Sequence, residues 1–543
     1  MSIGVVSQPG DDPNKFEFIT PDDVSIKTGE FVYYTRSVRV ATDDGGSTEE
    51  RKRIFARVTG RSQYQGLPDD FMADPNVPPE SVATKMGLET ADVDLYRITA
   101  TIIGYFDERM GDFTNPRIVP QPGTPIKLAT DEDLERYLTE VQAGDLGSAF
   151  VGDLLHRDPG AVGIHLPIDR FTSTHLSILA STGSGKSFTA SVLIEEMMQP
   201  DSRGSLLIVD PHGEYSSLQE MREAEHADVF TEGPYEPEVD IVRPDNIQIG
   251  ISELTKSDLF SVIDDPSDAQ EHVLSDAWDR LRGDTHISVG LLKSECKDVA
   301  GDERQSTAQA LDWRIDKALD RDIFGESPSL DLGSLLSPGK ATVLQLDSMG
   351  LRDQQMLLSV LLRKINRSRV EYEKSGEGEL DFPVFVLLEE GHRFAPAEGD
   401  ARSLGILGTI LSEGRKFGVG VGIISQRPSK IDDDVLSQCK TQIIMQIQNP
   451  LDQDAVRRGV EDVGEDLLAE LPGLTPGQAI IAGDSVNTPF LARIRDRFTQ
   501  HKAESLEASK LWRDRWEERA KREISGTVPA DQDEGVEDRD SLL

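Results

Sequence analysis

Apolar and polar positions follow two regimes along this chain. Up to about residue 130, apolar residues come in short runs at 16–20, 30–34, 54–58, 97–106 and 125–129. Acidic stretches rich in Gly, Pro and Asp separate them. Several short strands with such punctuation predict a small β-barrel or sandwich. The stretches 43–50 and 66–80 read as excursions from it. From about 150 to 498 the pattern changes to wholly apolar strands alternating with helical segments, which predicts a mainly parallel sheet. The strongest strand candidates are 176–180, 205–209, 341–346, 384–388, 419–425 and 441–447. A hairpin at 477–482 and 489–494 closes the region. Residues 250–335 show helical periodicity and no strong strand, so they read as a helical insertion.

Ala508, Trp512, Trp516, Ala520 and Ile524 recur every fourth residue, which predicts an amphipathic helix over about 500–525. It would either pack on its own core or meet a neighbouring subunit. The final stretch, 526–543, is acidic and poor in apolar residues, and is expected to be disordered. The fold class is therefore α/β, with a β-barrel over 1–130 and a core over 150–498.

The candidate chemistry sits where these strands end. The segment Ala180-Ser181-Thr182-Gly183-Ser184-Gly185-Lys186-Ser187 joins an apolar strand to an amphipathic helical stretch at 188–198. Strand, glycine-rich turn and helix start are the context of a phosphate-binding loop. Its backbone N–H groups converge on phosphate oxygens, and the helix start adds partial positive charge. Lys186 is placed to reach the β- and γ-phosphates of ATP, and Ser187 to ligate Mg²⁺. Ala180 stands where the usual pattern has its first glycine.

A second strand, 384–388, ends in Glu389 and Glu390. Glu389 fits the shell of a Mg²⁺ ion, and Glu390 fits a base that polarises the attacking water. A third strand runs into Asp210-Pro211-His212-Gly213-Glu214-Tyr215, whose Asp210 and Glu214 are candidates for the metal shell or the water. A fourth runs into Gln426, a neutral amide suited to sensing a γ-phosphate. Arg415, beside Gly414 and just before a buried strand, is the candidate for a guanidinium acting in trans; Lys416 is its alternative.

Composition changes this picture in two ways. The chain has 543 residues, enough for two or three domains, and no run of 18 apolar residues. Without a signal pattern at its start, it is expected to be a cytoplasmic protein with no membrane segment. Cys296 and Cys439 lie far apart, and nine histidines are scattered without ligand spacing, so no metal other than Mg²⁺ is expected. The charge balance is 98 acidic residues against 57 basic, a net −41. Arginine outnumbers lysine two to one, and the acids are spread over the whole length. This pattern predicts a halophilic source. At about 1 M salt the Debye length is near 3 Å, so the net charge would hardly repel nucleic acid.

Taken together, STGSGKS at 181–187, DPHGEY at 210–215, LLEEGHRF at 387–394, EGRKFG at 413–418, IISQRPSKID at 423–432 and LSQCKTQII at 436–444 resemble the HerA-type ATPases of the HerA/FtsK group of DNA translocases. Order and spacing match over roughly 150–495, with Gly391 where that family commonly has Ala. The resemblance implies a RecA-like P-loop ATPase core, a homo-hexameric ring, double-stranded DNA as substrate and a NurA-type nuclease as partner in end resection. It also matches Arg415 to the trans-acting arginine and Gln426 to the γ-phosphate sensor. Competing expectations are a ring that scaffolds a defence effector and a motor that moves protein. Arg393 and Arg402, after the catalytic strand, are candidates for facing a pore.

Overall fold

The computed structural model describes residues 2–9, 12, 14–21, 26–41, 47–64, 95–263, 266–284, 286–321, 323–325, 331–399, 401–460, 463–500 and 508–525. The chain forms two compact units, 1–500 and 501–543.

The first unit begins with seven strands: β1 (Gly4–Pro9), β2 (Lys15–Pro21), β3 (Phe31–Ala41), β4 (Ser47–Tyr64), β5 (Leu95–Asp107), β6 (Asp112–Thr114) and β7 (Pro125–Leu128). Their order is β2-β1-β7-β3-β4-β5-β6, and a further β2–β5 pairing closes a six-strand barrel with β6 on its outside. Along β5, buried and half-buried positions alternate, as a strand with one face inward requires. Phe16, Phe18, Tyr34, Ile54 and Ile98 fill the interior. β4 is longer than its apolar run predicts. Residues 47–50 pair with 38–41 across a hairpin, so the second half of the expected excursion at 43–50 is strand. Cross-strand charge pairs such as Arg39–Glu49 and a backbone ladder carry that stretch, which leaves no apolar signature. The second expected excursion, 66–80, lies outside the described residues.

The core is an eleven-stranded mixed sheet. Its strands are β8 (Ser148–Leu154), β9 (Gly163–Pro167), β10 (Leu176–Leu179), β11 (Ser205–Asp210) and β12 (Glu238–Val242). A separate two-strand ladder, β13 (Ile249–Gly250) with β14 (Phe324–Gly325), ties the two ends of the helical insertion together. The sheet continues with β15 (Lys340–Gln345), β16 (Val384–Leu388), β17 (Val419–Ser425), β18 (Thr441–Ile444), β19 (Gln478–Gly483) and β20 (Phe490–Ile494). Their order is β12-β15-β11-β16-β17-β10-β18-β19-β20-β8-β9. Neighbours are parallel from β12 to β18 and antiparallel from β18 to β9. The central strands are buried at every position, because helices cover both faces.

Six helices of the core carry the site and the insertion. α1 (Lys186–Met197) follows the phosphate loop, α2 (Asp268–Arg280), α3 (Val289–Ala300) and α4 (Gln305–Leu319) build the insertion, and α5 (Leu351–Ser375) returns from β15 to β16. α6 (Leu404–Glu413) precedes β17. The stretch containing α1 reads as amphipathic in sequence, yet from Thr189 to Met197 every residue of α1 is buried. Its polar face is covered because Glu195 and Glu196 receive Arg495, whose Nη1 lies 3.0 Å from Glu195 and Nη2 2.7 Å from Glu196. The barrel is tied to the core by Arg57–Asp466 at 3.0 Å and Arg157–Glu30 at 2.9 Å, both pairs largely shielded from water.

The second unit contributes α7 (Ala508–Ser525). Trp512 and Trp516, members of the predicted apolar stripe, are 74% and 71% exposed. The expected disordered tail at 526–543 lies outside the described residues.

Candidate active site

Parallel strands deliver their C-terminal ends to one edge of the sheet, and four of them meet there. β10 pairs with β17 in the register Leu179↔Ser425, and β11 pairs with β16 as Val209↔Leu388. The phosphate loop, Gln426, Glu389 and the loop from Asp210 therefore share one crevice.

The loop itself is stitched down from behind. Ala180 N–H donates to Ser425 O at 3.2 Å, Ser181 N–H to Gln446 O at 2.8 Å, and Ser184 Oγ to Gln446 O at 3.2 Å. Gly183 and Gly185 hold the left-handed conformation, with φ of 80° and 103°. Those two positions need glycine. Ala180 is not among the residues with positive φ, so a methyl group there carries no strain. Gly391 is the reverse case, since a Cβ on it would lie 2.4 Å from Ile423 Cγ2. The packing beneath the two glutamates explains why this chain has Gly at that position.

Three carboxylates surround one ammonium. Lys186, buried, donates to Glu389 Oε1, and its Nζ lies 3.5 Å from Glu390 Oε1 and 4.0 Å from Glu214 Oε2. Tyr215 Oη donates to Glu389 Oε2 at 2.6 Å, and Ser187 Oγ donates to Glu214 Oε2. Burial raises the Glu389 pKa to about 7, against the opposing pull of Lys186 and the Tyr215 hydroxyl. Burial also acts on Glu390, but a hydrogen bond from His392 and the charges of Lys186, His392 and His212 outweigh it and hold its pKa at about 2. For Lys186 the negative neighbours prevail over burial and raise its pKa.

A hydrogen-bonded relay links the phosphate loop to Glu390. Thr182 Oγ1 donates to Gln426 Oε1, and Gln426 Nε2 donates to Glu390 Oε1. His392 Nδ1 lies 3.2 Å from the other Glu390 oxygen. Glu390 adopts φ 52°, an unusual left-handed backbone for a glutamate, which turns its side chain back toward the crevice.

Asp210 is placed differently from Glu214. Its Oδ1 accepts the N–H groups of His212 and Gly213 at 3.1 and 2.8 Å, and its Oδ2 accepts that of Tyr215 at 3.1 Å. Asp210 thereby folds the turn, and Glu214 is the member of that loop that reaches Ser187. Arg415 and Lys416 are exposed and precede the N-terminal end of β17, whereas the phosphate loop follows the C-terminal end of β10. They lie at opposite ends of a parallel pair, so Arg415 faces away from its own chain's phosphate loop. Two residues that sequence reasoning left without a role, Tyr215 and His392, touch the glutamates. Both stood inside quoted motifs, and only their spatial partners give them a task. Among the described residues, no group of three or more His, Cys, Asp or Glu forms a ready metal cage.

The family model for the central domain of helicase HerA matches residues 149–365. The chain is 31% identical over 399 residues to the DNA double-strand break repair helicase HerA of Pyrococcus furiosus, covering 63% of this chain and 69% of that protein. It is 30% identical over 409 residues to the protein of the same name from Sulfurisphaera tokodaii, covering 72% and 76%. The chain belongs to the HerA helicase family. Its RecA-like P-loop core and closed N-terminal barrel are the fold inferred from the sequence, and the chain is an ATP-hydrolysing enzyme. Among solved structures, VirB4 of Thermoanaerobacter pseudethanolicus is similar at 15% identity and a TM-score of 0.47, over 66% of this chain and 99% of that one. No helix among the described residues of this HerA-family chain is long and apolar enough to cross a membrane.

Proposed function

We propose that this chain is an ATP-driven translocase of double-stranded DNA, acting as a homo-hexamer at DNA ends with a NurA-type nuclease. The observation that carries the reading is the continuous link from Thr182 through Gln426 to Glu390, which couples the phosphate loop to the residue suited to activate water. The family relationship supports DNA as the substrate.

The residues fit ATP and Mg²⁺. Left-handed Gly183 and Gly185 free the loop's N–H groups for phosphates, and three carboxylates beside one lysine leave negative charge for a divalent cation. Ser187, Glu389 and Glu214 would hold the metal, largely through water, with Asp210 fixing the loop that carries Glu214. Bound Mg²⁺ would neutralise charge developing on the transferred phosphoryl group. Lys186 must leave Glu389 to reach a phosphate. Its departure removes a positive neighbour from Glu390, whose burial then raises its affinity for the proton of the attacking water. Thr182 and Gln426 exchange hydrogen bonds with each other for bonds to the γ-phosphate, and so report its presence to Glu390. Arg415, on the far end of the sheet, would complete the site of a neighbouring subunit.

The test is ATP hydrolysis by the full chain in concentrated KCl, with and without duplex DNA. Duplex should raise the rate, while Lys186→Ala and Glu390→Gln should each lower kcat by about a hundredfold or more. Mixing Arg415→Ala with Glu390→Gln subunits should restore partial activity if Arg415 acts across an interface. An active ring whose rate ignores DNA in every form would refute the translocase reading.

A further inference from the structure

The stretch that carries Arg415 is held at both ends by buried side chains that take no part in the catalytic crevice. α6 ends at Glu413, and a 3₁₀ turn at Gly414–Phe417 presents Arg415 and Lys416 to solvent before β17 begins. Upstream, Leu411 belongs to the last turn of α6, whose carbonyls lack partners within the helix. His175 supplies one, with its Nε2 3.1 Å from Leu411 O. The other ring nitrogen, Nδ1, accepts the N–H of Val421 in β17 at 3.1 Å. A carbonyl only accepts and a backbone N–H only donates, so these two bonds fix one neutral tautomer with its proton on Nε2. His175 is 2% exposed, and burial lowers its pKa to about 4, which keeps it neutral. Downstream, Arg369 of α5 is equally buried. It donates from Nε to Phe417 O at 2.8 Å and from Nη1 to Leu380 O at 2.9 Å. A Cβ on Gly414 would lie 2.7 Å from Val419 O, so the turn between the two clamps folds tightly back on β17.

The conformation of His175 is itself unusual. Its φ of 63° is left-handed, a backbone state that costs free energy in any residue but glycine. Its carbonyl accepts Thr441 N–H at 3.1 Å, and the next four residues are β10, which runs into the phosphate loop. One side chain thus ties the root of the phosphate loop to the base of an arginine that faces away from that loop. We propose that His175 is a positioning residue for Arg415, with Arg369 as its counterpart at the other end of the turn, a role that rests on Arg415 acting in trans as read above. The strand that enters one subunit's phosphate loop then sets where the guanidinium stands in the site of the next subunit. Such placement matters because a shift of about 1 Å in a group that meets a transferring phosphoryl can cost about a hundredfold in rate. The bond to Leu411 fixes the arginine's base, whereas the bond to Val421 serves the sheet, and the two can be cut separately.

Asparagine puts an oxygen where His has Nδ1 and tolerates the left-handed backbone, but it stops short of Leu411. Glutamine carries an amide N–H to the place of Nε2 but suits that backbone less well. His175→Asn and His175→Gln are therefore compared in the full chain, by thermal melting and by duplex-stimulated ATP hydrolysis in concentrated KCl. His175→Asn should lower kcat about tenfold or more with KM for ATP changed by less than about twofold. His175→Gln, the less stable of the two, should keep kcat within about threefold of the parent. A residue that served stability alone would rank the two the other way. Arg369→Lys, which loses the double hold on Phe417 and Leu380, carries the same test through the other clamp. Co-expressed pairs then locate the fault. His175→Asn with Glu390→Gln subunits should exceed the activity of either alone, because the second lends a well-placed Arg415 to the intact loop of the first. His175→Asn with Arg415→Ala subunits should gain nothing. The reverse pattern would put the fault in the phosphate loop of the same subunit and overturn the proposal, as would parental activity in His175→Asn. Arg415→Ala with Glu390→Gln subunits tests the trans reading by itself. No gain there refutes that reading and the proposal with it, whereas a gain there beside failed His175→Asn mixtures refutes the proposal alone.

Discussion

Helix α1 has a cluster of buried charge at each end, and the two clusters differ in how completely they are satisfied. At its C-terminal end, Glu195 accepts Arg495, the N–H groups of Phe498 and Thr499, and the Thr499 hydroxyl, while Glu196 accepts Arg495 and Phe150 N–H. Each carboxylate there has a matching set of donors. At the N-terminal end, one lysine serves Glu389, Glu390 and Glu214, and a pKa is driven far in each direction. Charge closed on itself holds a fold together. Charge left in excess waits for a ligand, and here that ligand brings both a cation and phosphates.

The strongest way to break this contrast is to remove one cation at each end. Arg495→Met leaves buried Glu196 without its arginine and Glu195 with only the more distant Arg497, and should cost about 3–5 kcal/mol of stability in chemical denaturation. Lys186→Met should cost less, under about 2 kcal/mol, because Glu389 can take up a proton in place of the lost partner. Equal losses would remove the distinction between the ends.

A smaller effect comes from pH. The Glu389 pKa rises from 4.5 to about 7 on folding, so between those values the folded chain holds a proton that the unfolded chain has released. Stability from this group is full below pH 4.5 and is lost as pH rises through 7. Glu389→Gln should therefore gain on the parent by about 1 kcal/mol or more between pH 5 and pH 8 without nucleotide. A gap that stays constant with pH would show that Glu389 is as satisfied as Glu195. The smallest effect is expected from Ala180→Gly, which should change stability by less than about 1 kcal/mol and leave ATP affinity unaltered. A large loss of affinity would mean that the loop's first position is strained after all.

Much of this was legible in the chain. Wholly apolar runs ending in polar residues marked the central parallel strands, because a strand buried on both faces has few other compositions open to it. The strands at 148–154, 163–167 and 238–242 escaped notice. They sit at or near the sheet's edges, where pairing tolerates polar residues such as Glu238, His165 and Asp153. Helix α1 was misread as amphipathic because Glu195 and Glu196 imitate a solvent face, and the arginine that buries them lies some 300 positions away. In the site, the motifs named the residues but not their pairing. The sequence favoured Asp210 as the metal ligand of its turn, whereas the fold uses Asp210 to cap that turn and brings Glu214 to Ser187.

What the sequence determined by itself was the α/β class, the phosphate loop and the set of polar residues at strand ends, because each leaves a pattern within a few neighbouring positions. What only the tertiary structure decided was which of these groups meet. Lys186 found Glu389, Thr182 found Gln426, and Arg495 found Glu195 and Glu196. Those partners are brought together by the register of parallel strands and the packing of helices, and neither is written in local spacing.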